Sequence, residues 1–286
     1  MGNSHEDGFA RLADWIGRTE TRTDTACAAP VMALAALLDR DDAPARTGDA
    51  IPPLAHWLYF LPMHRQSEMG PDGHAKRGEF LPPVPLPRRM WAGSRLEFLR
   101  PVAIGAAIRR VSRIAGVKVK EGRTGPLVFV TVRHEVSDTG GLAIADEHDI
   151  VYRGDTGRAV AEAVPAAKNE AWSRVIHPDP ALLFRYSAVT FNGHRIHYDH
   201  PYVTKVEGYP GLVVHGPLIA TLLVDLLRRS RPEACLRSFA FRAIRPLFDT
   251  APFTVCGLPD DPAPSATLWT RDAEGAVTME ATATWQ

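Results

Sequence analysis

The most constraining feature of this chain is that the same order of predicted secondary-structure elements occurs twice. In each half, a long apolar segment with helical periodicity precedes a run of alternating, strand-like segments, and the run ends in a hairpin. The helical segments are residues 26–38 and 212–227, and the hairpin turns are Asp138-Thr139-Gly140-Gly141 and Asp272-Ala273-Glu274-Gly275. This repetition predicts an internal duplication, although two unrelated strand-rich stretches would leave a similar pattern.

The strand-like segments alternate apolar and polar residues, which is typical of antiparallel strands with one buried face. A helix wrapped by a curled antiparallel sheet is the hotdog unit. The predicted fold class is therefore α+β, a double hotdog in which two curled antiparallel sheets each wrap around a long helix. The predicted halves are residues 1–162, including a proline-rich loop at 61–93, and residues 163–286, which begin with a linker at 163–173. The predicted strands are 95–99, 128–136, 143–152, 236–241, 252–258, 266–271 and 277–285.

The charge balance limits what the protein can bind. Its 286 residues include 33 basic and 33 acidic side chains, so no net field attracts nucleic acid or an anionic membrane, although a local basic patch stays open. The three cysteines are far apart and lack zinc-ligand spacing, which favours small buried thiols in a reducing compartment. The N-terminus lacks a signal-peptide pattern, and the longest apolar run is too short and too polar to span a bilayer. We therefore expect a cytoplasmic protein with no nucleic-acid or membrane partner.

A dense polar motif from Phe191 to Asp199 carries the chemistry of the chain, with the sequence Phe-Asn-Gly-His-Arg-Ile-His-Tyr-Asp. Within it, His197 lies two residues before Asp199, a carboxylate that could fix the tautomer of the imidazole and keep it a base near neutral pH. Two alternatives stay open for His197. It could be a structural histidine, or a metal ligand paired with His194, although an HxxH pair without a clear third ligand is a weak metal signal.

Two further groups complete the predicted site. Asn192 cannot exchange a proton at physiological pH, but its amide can hold a water or a substrate carbonyl. It could equally be a turn residue, because Asn-Gly is a common turn dipeptide. Gly216 follows His215 at the start of the second apolar helix, where Pro217 suits the first turn. Free N–H groups there could bind an oxygen that becomes negative, whereas the alternative is a plain loop-to-helix junction.

Several side chains are candidate substrate contacts. Arg195 and Arg185 could pair with a carboxylate, although an exposed arginine is usually only solvated. Tyr198 and Tyr202 are plausible contacts as well. The arginine pairs that could meet coenzyme A phosphates are Arg88-Arg89 and Arg109-Arg110.

At these residues the chain resembles the MaoC-like, or hydratase 2, family of (R)-specific enoyl-thioester hydratases and dehydratases. The family motif reads Asp-x-Asn-Pro-x-His-x-Asp, and a His-Gly pair follows further along the chain. His197, Asp199 and the pair His215-Gly216 match that pattern. The departures are Asn192 where the family has its catalytic Asp, His194 in place of the Asn, and Arg195 in place of the Pro.

The motif is similar to the branch that contains mesaconyl-C4-CoA hydratase, itaconyl-CoA hydratase and type 2 3-hydroxyacyl-thioester dehydratase. The first half resembles this branch as well, in Gly70-Pro71-Asp72-Gly73-His74 and in residues 80–93. The resemblance covers roughly residues 10–286. In this branch the first repeat lacks the motif and serves as a scaffold and acyl-pocket wall, and residues 1–160 contain no second copy of the motif.

The resemblance implies reversible hydration of an α,β-unsaturated acyl-CoA, with a short branched or dicarboxylic enoyl-CoA as the preferred substrate. His197 would act as the base, Asn192 would orient the water, and the N–H of Gly216 would stabilise the enolate oxygen. The residues expected to bind substrate are Arg195, His194, Tyr198, Asp199, His215 and Arg185. No metal or redox cofactor is expected, since coenzyme A arrives as part of the substrate, and paired hotdog units are compatible with a homodimer. An acyl-CoA thioesterase and a non-catalytic acyl-thioester binding protein are the alternatives on the same fold.

Overall fold

One ten-stranded antiparallel sheet forms the centre of the molecule. It is seen in a computed structural model that describes residues 9, 11–76, 78–122, 125–154 and 162–286. The strands are β1 (Thr19–Thr25), β2 (Arg88–Phe98), β3 (Ala107–Gly122), β4 (Gly125–Asp138), β5 (Gly141–Arg153), β6 (Trp172–Ile176), β7 (Leu236–Ala243), β8 (Phe253–Pro259), β9 (Ser265–Arg271) and β10 (Val277–Trp285).

The strand order repeats about the middle of the sheet. It is β1-β3-β4-β5-β2 on one side and β6-β8-β9-β10-β7 on the other, so both sets of five strands have the same connectivity. Strands β2 and β7 pair in the middle, from Gly93↔Arg242 to Glu97↔Ser238. The two hotdog units are thereby joined into one continuous sheet instead of forming two separate sheets. The predicted division at residue 162 lies beside residues 155–161, which are outside the described part of the chain, and it stays a prediction.

The long helix of the second half is the centre of the core. The helices are α1 (Ala28–Leu37), α2 (Pro180–Thr190), α3 (His200–Lys205) and α4 (Gly216–Ser230), with 3-10 helices at Leu12–Trp15, Ala55–Leu58, Gln66–Glu68 and Arg195–His197. Helix α4 packs against β6, β8, β9 and β10, and every residue from Leu218 to Leu227 is buried. Helix α1 is shorter and packs mainly against α2 and the 3-10 helix Ala55–Leu58. One hydrophobic core includes residues of both halves.

Helix α4 begins four residues later than predicted. The prediction began at residue 212, but the helix begins at Gly216, with Pro217 in its first turn. Proline fits the first turn because it has no N–H to donate. Before it, Val213 is extended and forms an isolated bridge with Phe248. The apolar residues before Gly216 therefore belong to the core but not to the helix.

Two predicted loops are shorter than expected. Strand β2 begins at Arg88, inside the predicted loop 61–93, because Pro87 is the last proline and the residues after it can donate to a sheet. Strand β6 begins at Trp172, so the predicted linker 163–173 ends early. Both corrections move residues out of irregular loops and into the sheet.

The predicted burial of the three cysteines is confirmed for one of them. All three cysteines are free thiols, but only Cys256 is buried, whereas Cys27 and Cys235 are exposed. No helix in the described part of the chain combines the length and the apolar character needed to cross a bilayer.

Candidate active site

A cavity of about 400 Å³ lies where the start of α4 meets the polar motif and the middle of the sheet. Two adjoining cavities, of about 670 and 550 Å³, share part of its lining. Each of the three has the size of a small-molecule site. The lining includes Asn192, His194, His197, His215 and Gly216 from the second half and His74, Arg89, Trp91 and His148 from the first.

His197 is buried in the motif, and the backbone fixes its tautomer. Its Nδ1 lies 2.7 Å from the carbonyl oxygen of Val213. A carbonyl can only accept a hydrogen bond, so Nδ1 carries the proton and Nε2 keeps its lone pair. Burial lowers the pKa of His197 to about 4, although the bond to Val213 acts in the opposite direction. His197 is therefore neutral near pH 7, which is the form that a general base requires.

The carboxylate predicted to orient His197 has other partners. Asp199 caps α3 by accepting from the N–H of Tyr202 at 3.0 Å. It also accepts hydrogen bonds of 2.9 and 2.8 Å from Arg195, which lower the pKa of Asp199. The expectation that Asp199 fixes the tautomer of His197 is therefore wrong, because the helix start and Arg195 already occupy that carboxylate. The carbonyl of Val213 has the role instead.

A second buried histidine supports the first. The ring of His215 stacks on that of His197, with centroids 3.7 Å apart and planes at 18°. Its Nε2 lies 2.8 Å from the hydroxyl oxygen of Ser187, a buried residue of α2. Burial lowers the pKa of His215 well below its ordinary value, so the stack holds two neutral rings with no repulsion between cations. His215 lines the cavity and also holds the plane of His197.

The N-terminus of α4 opens onto the cavity. No side chain caps it, and Pro217 has no N–H, so Gly216 and Leu218 supply the donors of the first turn. A Cβ on Gly216 would have the carbonyl oxygen of Trp91 as its nearest described neighbour, at an ordinary 3.8 Å. The fold itself therefore leaves room for a side chain at this position. Because Gly216 has no side chain, a ligand can approach the backbone and the positive end of the helix dipole, where a developing oxyanion is stabilised.

Asn192 is a turn residue whose side chain also faces the cavity. Its Oδ1 accepts from the N–H of His194 at 3.0 Å, which is a turn contact, and its own N–H donates to the carbonyl of Ser187 at 2.8 Å. Since the side-chain oxygen is engaged, the NH2 group is the end left for a ligand. The residue lines two of the adjoining cavities. Asn192 therefore stabilises the turn and can still donate to a water or a substrate.

The loop at residues 70–74 of the first half lies directly against the motif. The N–H of Arg195 donates to the carbonyl of Asp72 at 2.9 Å. The ring of His74 lies 3.9 Å from that of His194, and Nδ1 of His74 is 3.0 Å from the carboxylate of Asp72. The fold thus joins two sequence blocks that are far apart along the chain into one site.

Asp72, His74 and His194 also bring potential ligand atoms within 4.8 Å of one another. This group is not the HxxH pair considered from the sequence, because His197 lies outside it, with its ring edge-on to His194 at 5.4 Å. The rings of His74 and His194 are inclined at only 39° and lie against each other. Both rings would have to turn to share an ion tetrahedrally. We assign no metal role to this group.

The predicted substrate contacts of the motif are already engaged within the protein. The guanidinium of Arg195 binds Asp199 and lies 4.1 Å above the ring of Tyr202, so its charge has a partner. Tyr198 is exposed and donates to the backbone of the motif at 2.9 Å. Arg185 is an exposed residue of α2 and is not part of the lining of the three cavities. The structure therefore does not bring Arg195 or Arg185 to the reaction cavity.

Arg89 is the arginine that the structure places there. It is half-buried and lines all three adjoining cavities, and no hydrogen bond or ion pair of its side chain is seen within the described residues. Burial, together with the charges of His74 and, more weakly, Arg89, lowers the pKa of His194 to about 2. The neighbouring Arg88 instead pairs with Glu207 at 3.1 Å. The sequence does not indicate which of Arg88 and Arg89 faces the cavity, because that depends on the register of β2 in the sheet.

Solved structures with the same architecture define the class of protein. The chain has a TM-score of 0.64 to HtdX of Mycobacterium tuberculosis, at 21% identity over 94% of this chain and 100% of that chain. It has a TM-score of 0.69 to a MaoC-like dehydratase from Phytophthora capsici, at 15% identity over 97% of both chains. A conserved M. tuberculosis protein described as a double hotdog gives 0.56, at 12% identity over 97% of this chain and 98% of that chain. At these identities the likeness shows the fold, a double hotdog.

Closer relatives show the family. The profile of hydroxyacyl-thioester dehydratase type 2 matches residues 54–249. Mesaconyl-C(4)-CoA hydratase of Chloroflexus aurantiacus is 46% identical over 273 residues, which are 94% of this chain and 95% of that protein. The mitochondrial hydroxyacyl-thioester dehydratase type 2 of Schizosaccharomyces pombe is 27% identical over 232 residues, 72% of this chain and 77% of that protein. The chain belongs to the hydroxyacyl-thioester dehydratase type 2 family of MaoC-like hotdog proteins.

Proposed function

We propose that this protein adds water reversibly across the double bond of an α,β-unsaturated acyl-CoA thioester. The observation that carries the proposal is the neutral His197, with Nε2 unprotonated, in the same cavity as the uncapped N-terminus of α4. A base beside an oxyanion site is what proton chemistry next to a thioester carbonyl requires. The family relationship supports the same reaction class.

In hydration, Nε2 of His197 accepts a proton from water, and the water oxygen bonds to the β-carbon. The electrons of the double bond move toward the thioester carbonyl, whose oxygen accepts a hydrogen bond from the N–H of Gly216 as it becomes enolate-like. The NH2 group of Asn192 donates to the water and orients it. A proton then bonds to the α-carbon and completes the product. Coenzyme A enters as part of the substrate, and these steps need no metal or redox cofactor.

For the acyl group, the proposal favours a short branched or dicarboxylic enoyl-CoA of the mesaconyl or itaconyl kind. A free carboxylate in this cavity would be costly to bury without a cationic partner. The half-buried Arg89 supports such a substrate, because it lines the reaction cavity without another partner in the described residues. Arg89 thus replaces Arg195 and Arg185 as the proposed partner of the carboxylate.

The reaction class is tested by following the enoyl-thioester absorbance with mesaconyl-C4-CoA, itaconyl-CoA and crotonyl-CoA, together with a thiol reagent. Loss of the band without release of free thiol supports a hydratase. Release of coenzyme A as free thiol would instead identify a thioesterase. Tight acyl-CoA binding with no change in either signal would identify a binding protein, in which Asn192 marks a lost active site.

For substrate choice, we expect Arg89→Gln to lower kcat/KM for the dicarboxylic substrate about 100-fold, because a charge-assisted bidentate pair is lost. With crotonyl-CoA, which has no free carboxylate, kcat/KM should change less than about threefold. Arg185→Gln is the control, since that side chain is exposed outside the cavity. An equal loss with both substrates would overturn the assignment, because it would indicate contact with the shared coenzyme A instead.

The contact between the two halves of the site gives a further prediction. Gly73 has a φ of +84°, and a Cβ there would overlap the carbonyl oxygen of Gly193 in the motif. We expect Gly73→Ala to displace the loop and lower kcat about 100-fold, since a shift of about 1 Å in a catalytic group can cost that much. Gly48→Ala is the matched control, with a φ of +95° but nothing described within 4 Å. It should destabilise the fold by about 1–2 kcal/mol and keep its kcat. Equal kcat values in the two variants would contradict the prediction.

Two properties of the whole protein also belong to the proposal, a homodimeric state and a cytoplasmic location. Paired hotdog units leave sheet and helix surfaces on which a second copy can associate through a two-fold axis. The free cysteines Cys27 and Cys235 are exposed, and exposed free thiols suit a reducing compartment. Light scattering on the purified protein gives the mass in solution, and a value of one chain would rule out the dimer.

A further inference from the structure

A second histidine–aspartate pair lies in the first half, outside the motif. Asp146 and His148 are two residues apart on β5, so their side chains share one face of the sheet. The carboxylate of Asp146 is 1% exposed, and His148 Nε2 lies 2.7 Å from its Oδ2. The same oxygen accepts from Trp57 Nε1 at 2.8 Å and lies 3.2 Å from His56 Nε2. Burial alone would raise the pKa of Asp146, but the charge and hydrogen bonds of His148 and His56 hold it well below its ordinary range.

This buried carboxylate determines which nitrogen of His148 is available. Since an ionised carboxylate only accepts, Nε2 of His148 is the donor, and Nδ1 is the nitrogen left for another partner. No hydrogen bond at Nδ1 of His148 is seen among the described residues. The side chain of His148 is 18% exposed, whereas Asp146 is closed off, so only the imidazole can reach a ligand.

His148 shares a cavity with the catalytic groups of the motif. It lines the 400 Å³ cavity together with His197 and Gly216. Its ring lies against that of Trp91, with centroids 4.0 Å apart. The carbonyl oxygen of Trp91 is in turn 3.8 Å from the Cβ position of Gly216. Because the α-carbon of a thioester is bonded to its carbonyl carbon, a thioester held at Gly216 places its α-carbon in the cavity that His148 also lines.

The chemistry of hydration leaves one role unfilled. Water must lose a proton at the β-carbon, and the α-carbon must gain one. His197 serves the first step, but its other nitrogen bonds a backbone carbonyl and not a carboxylate. Asn192, which stands where the family has a carboxylate, cannot carry a proton at all. A second titratable group in the cavity wall is therefore the candidate carrier of the proton for the α-carbon.

We propose that His148, held by Asp146, gives the α-carbon its proton in hydration and removes it in dehydration. This inference rests on the proposed hydratase function and adds a catalytic residue from the first half. In hydration the electron pair of the enolate returns to the α-carbon and forms the new C–H bond with the proton on Nδ1 of His148, which becomes neutral. His197 has meanwhile gained the proton lost by water, and exchange with solvent returns both rings to their starting forms. The Asp146 carboxylate holds the ring by accepting a hydrogen bond from Nε2 at 2.7 Å.

His74 is the strongest competitor for this role. It also lines the cavity and is bound to a carboxylate, that of Asp72, at 3.0 Å. That pair is more open, however, with 34% of the Asp72 side chain exposed against 1% for Asp146. Its ring also lies against that of His194, with centroids 3.9 Å apart. Solvent screens an exposed pair more strongly, so the buried pair is the better preorganised acid.

The test compares His148→Gln with His74→Gln and His200→Gln in the hydration assay. Glutamine keeps a donor toward the carboxylate but cannot transfer a proton. We expect His148→Gln to lower kcat about 100-fold, as removal of a general acid typically does, with KM changed less than threefold. Reactions in D2O add a second readout. The wild type should place deuterium on one face of the α-carbon, whereas His148→Gln should scramble the label, because solvent then supplies the proton.

The controls separate this proposal from the others. His200→Gln is the neutral control, because His200 is exposed at the start of α3 and outside the cavity lining, so it should keep kcat and stereospecific labelling. Binding of the acyl-CoA by His148→Gln, together with an unchanged thermal unfolding midpoint, establishes that the variant is folded. The proposal is overturned if His148→Gln keeps its kcat and its labelling, or if His74→Gln alone produces both effects. If the wild type hydrates no enoyl-CoA, the proposed function and this inference fail together. If His197→Ala loses hydration activity but His148→Gln keeps it, the proposed function stands and only this inference fails.

Discussion

Replacing His197 with alanine is expected to lower the kcat of enoyl-CoA hydration about 1000-fold or more, because general base catalysis typically contributes 10²–10⁴-fold. The imidazole is the only group of the motif with both a fixed tautomer and an unprotonated nitrogen in the cavity, within the described residues. Stopped-flow absorbance at the enoyl band measures the rate. Affinity for the acyl-CoA should change little, since the lost interaction acts mainly in the transition state.

The same variant tests the pH dependence of the site. Because burial lowers the pKa of His197 to about 4, the base is already neutral at pH 6. The acid limb of kcat/KM should therefore fall near pH 4 and not near 6.5, the ordinary value for histidine. The unfolded state binds the proton more readily than the folded state, so His197 also destabilises the fold as the pH falls from about 6.5 to about 4. His197→Ala should remove that part of the acid sensitivity.

An exposed histidine provides the control for both measurements. His200 lies at the start of α3 and is exposed, so His200→Ala should keep the wild-type kcat and pH profile. A kcat for His197→Ala within about tenfold of the wild type would contradict the assigned role, since a general base contributes more than that. Attention would then move to His194, the other histidine of the motif that lines the cavity.

Seven of the ten strands could be predicted because their signal is local, whereas β1, β3 and β6 were not predicted. Alternation marks β4, β5 and β10, and the turns Asp138-Thr139-Gly140-Gly141 and Asp272-Ala273-Glu274-Gly275 join strands in the structure as predicted. Helix α2 was not predicted, although Asp179 followed by Pro180 is an N-terminal signal and the Asp179 carboxylate does cap the helix. The helix has no continuous apolar face, because some of its side chains contact the core, some the motif and some solvent. Its sequence therefore shows no clear helical period.

The residues of the motif could be predicted, but their partners could not. Sequence proximity suggested Asp199 as the partner of His197, whereas the structure supplies a carbonyl sixteen residues further on. The contributions of His74, Arg89 and His148 come from separate strands and loops of the first half. No local pattern encodes such contacts, because they depend on how β2 and β5 meet the start of α4. One signal was visible in the sequence, since Asp146 places a carboxylate within a partly apolar strand.

A buried ion-pair cluster ties the central helix to the rest of the protein. Asp225 interrupts the apolar run of α4 and is 1% exposed. Its carboxylate accepts hydrogen bonds from Arg40 at 2.8 Å, Arg174 at 3.1 Å and Arg229 at 2.7 Å. Arg40 follows α1 of the first half, and Arg174 lies on β6. The single carboxylate therefore holds together three elements that are distant in sequence.

We expect Asp225→Ala to lower the free energy of unfolding by about 3–5 kcal/mol, because three arginines would lose the buried carboxylate that they share and, of the described carboxylates, only the exposed Asp42 and Asp39 would remain near them. Urea denaturation followed by circular dichroism measures the change. Glu280→Ala is the control, since its ion pair with Arg242 is exposed and should contribute no more than about 1 kcal/mol. A loss below about 1 kcal/mol for Asp225→Ala would mean that water fills the site and solvates the arginines. In that case α4 would be positioned by its apolar packing alone, and the buried carboxylate would not stabilise the junction of the two halves.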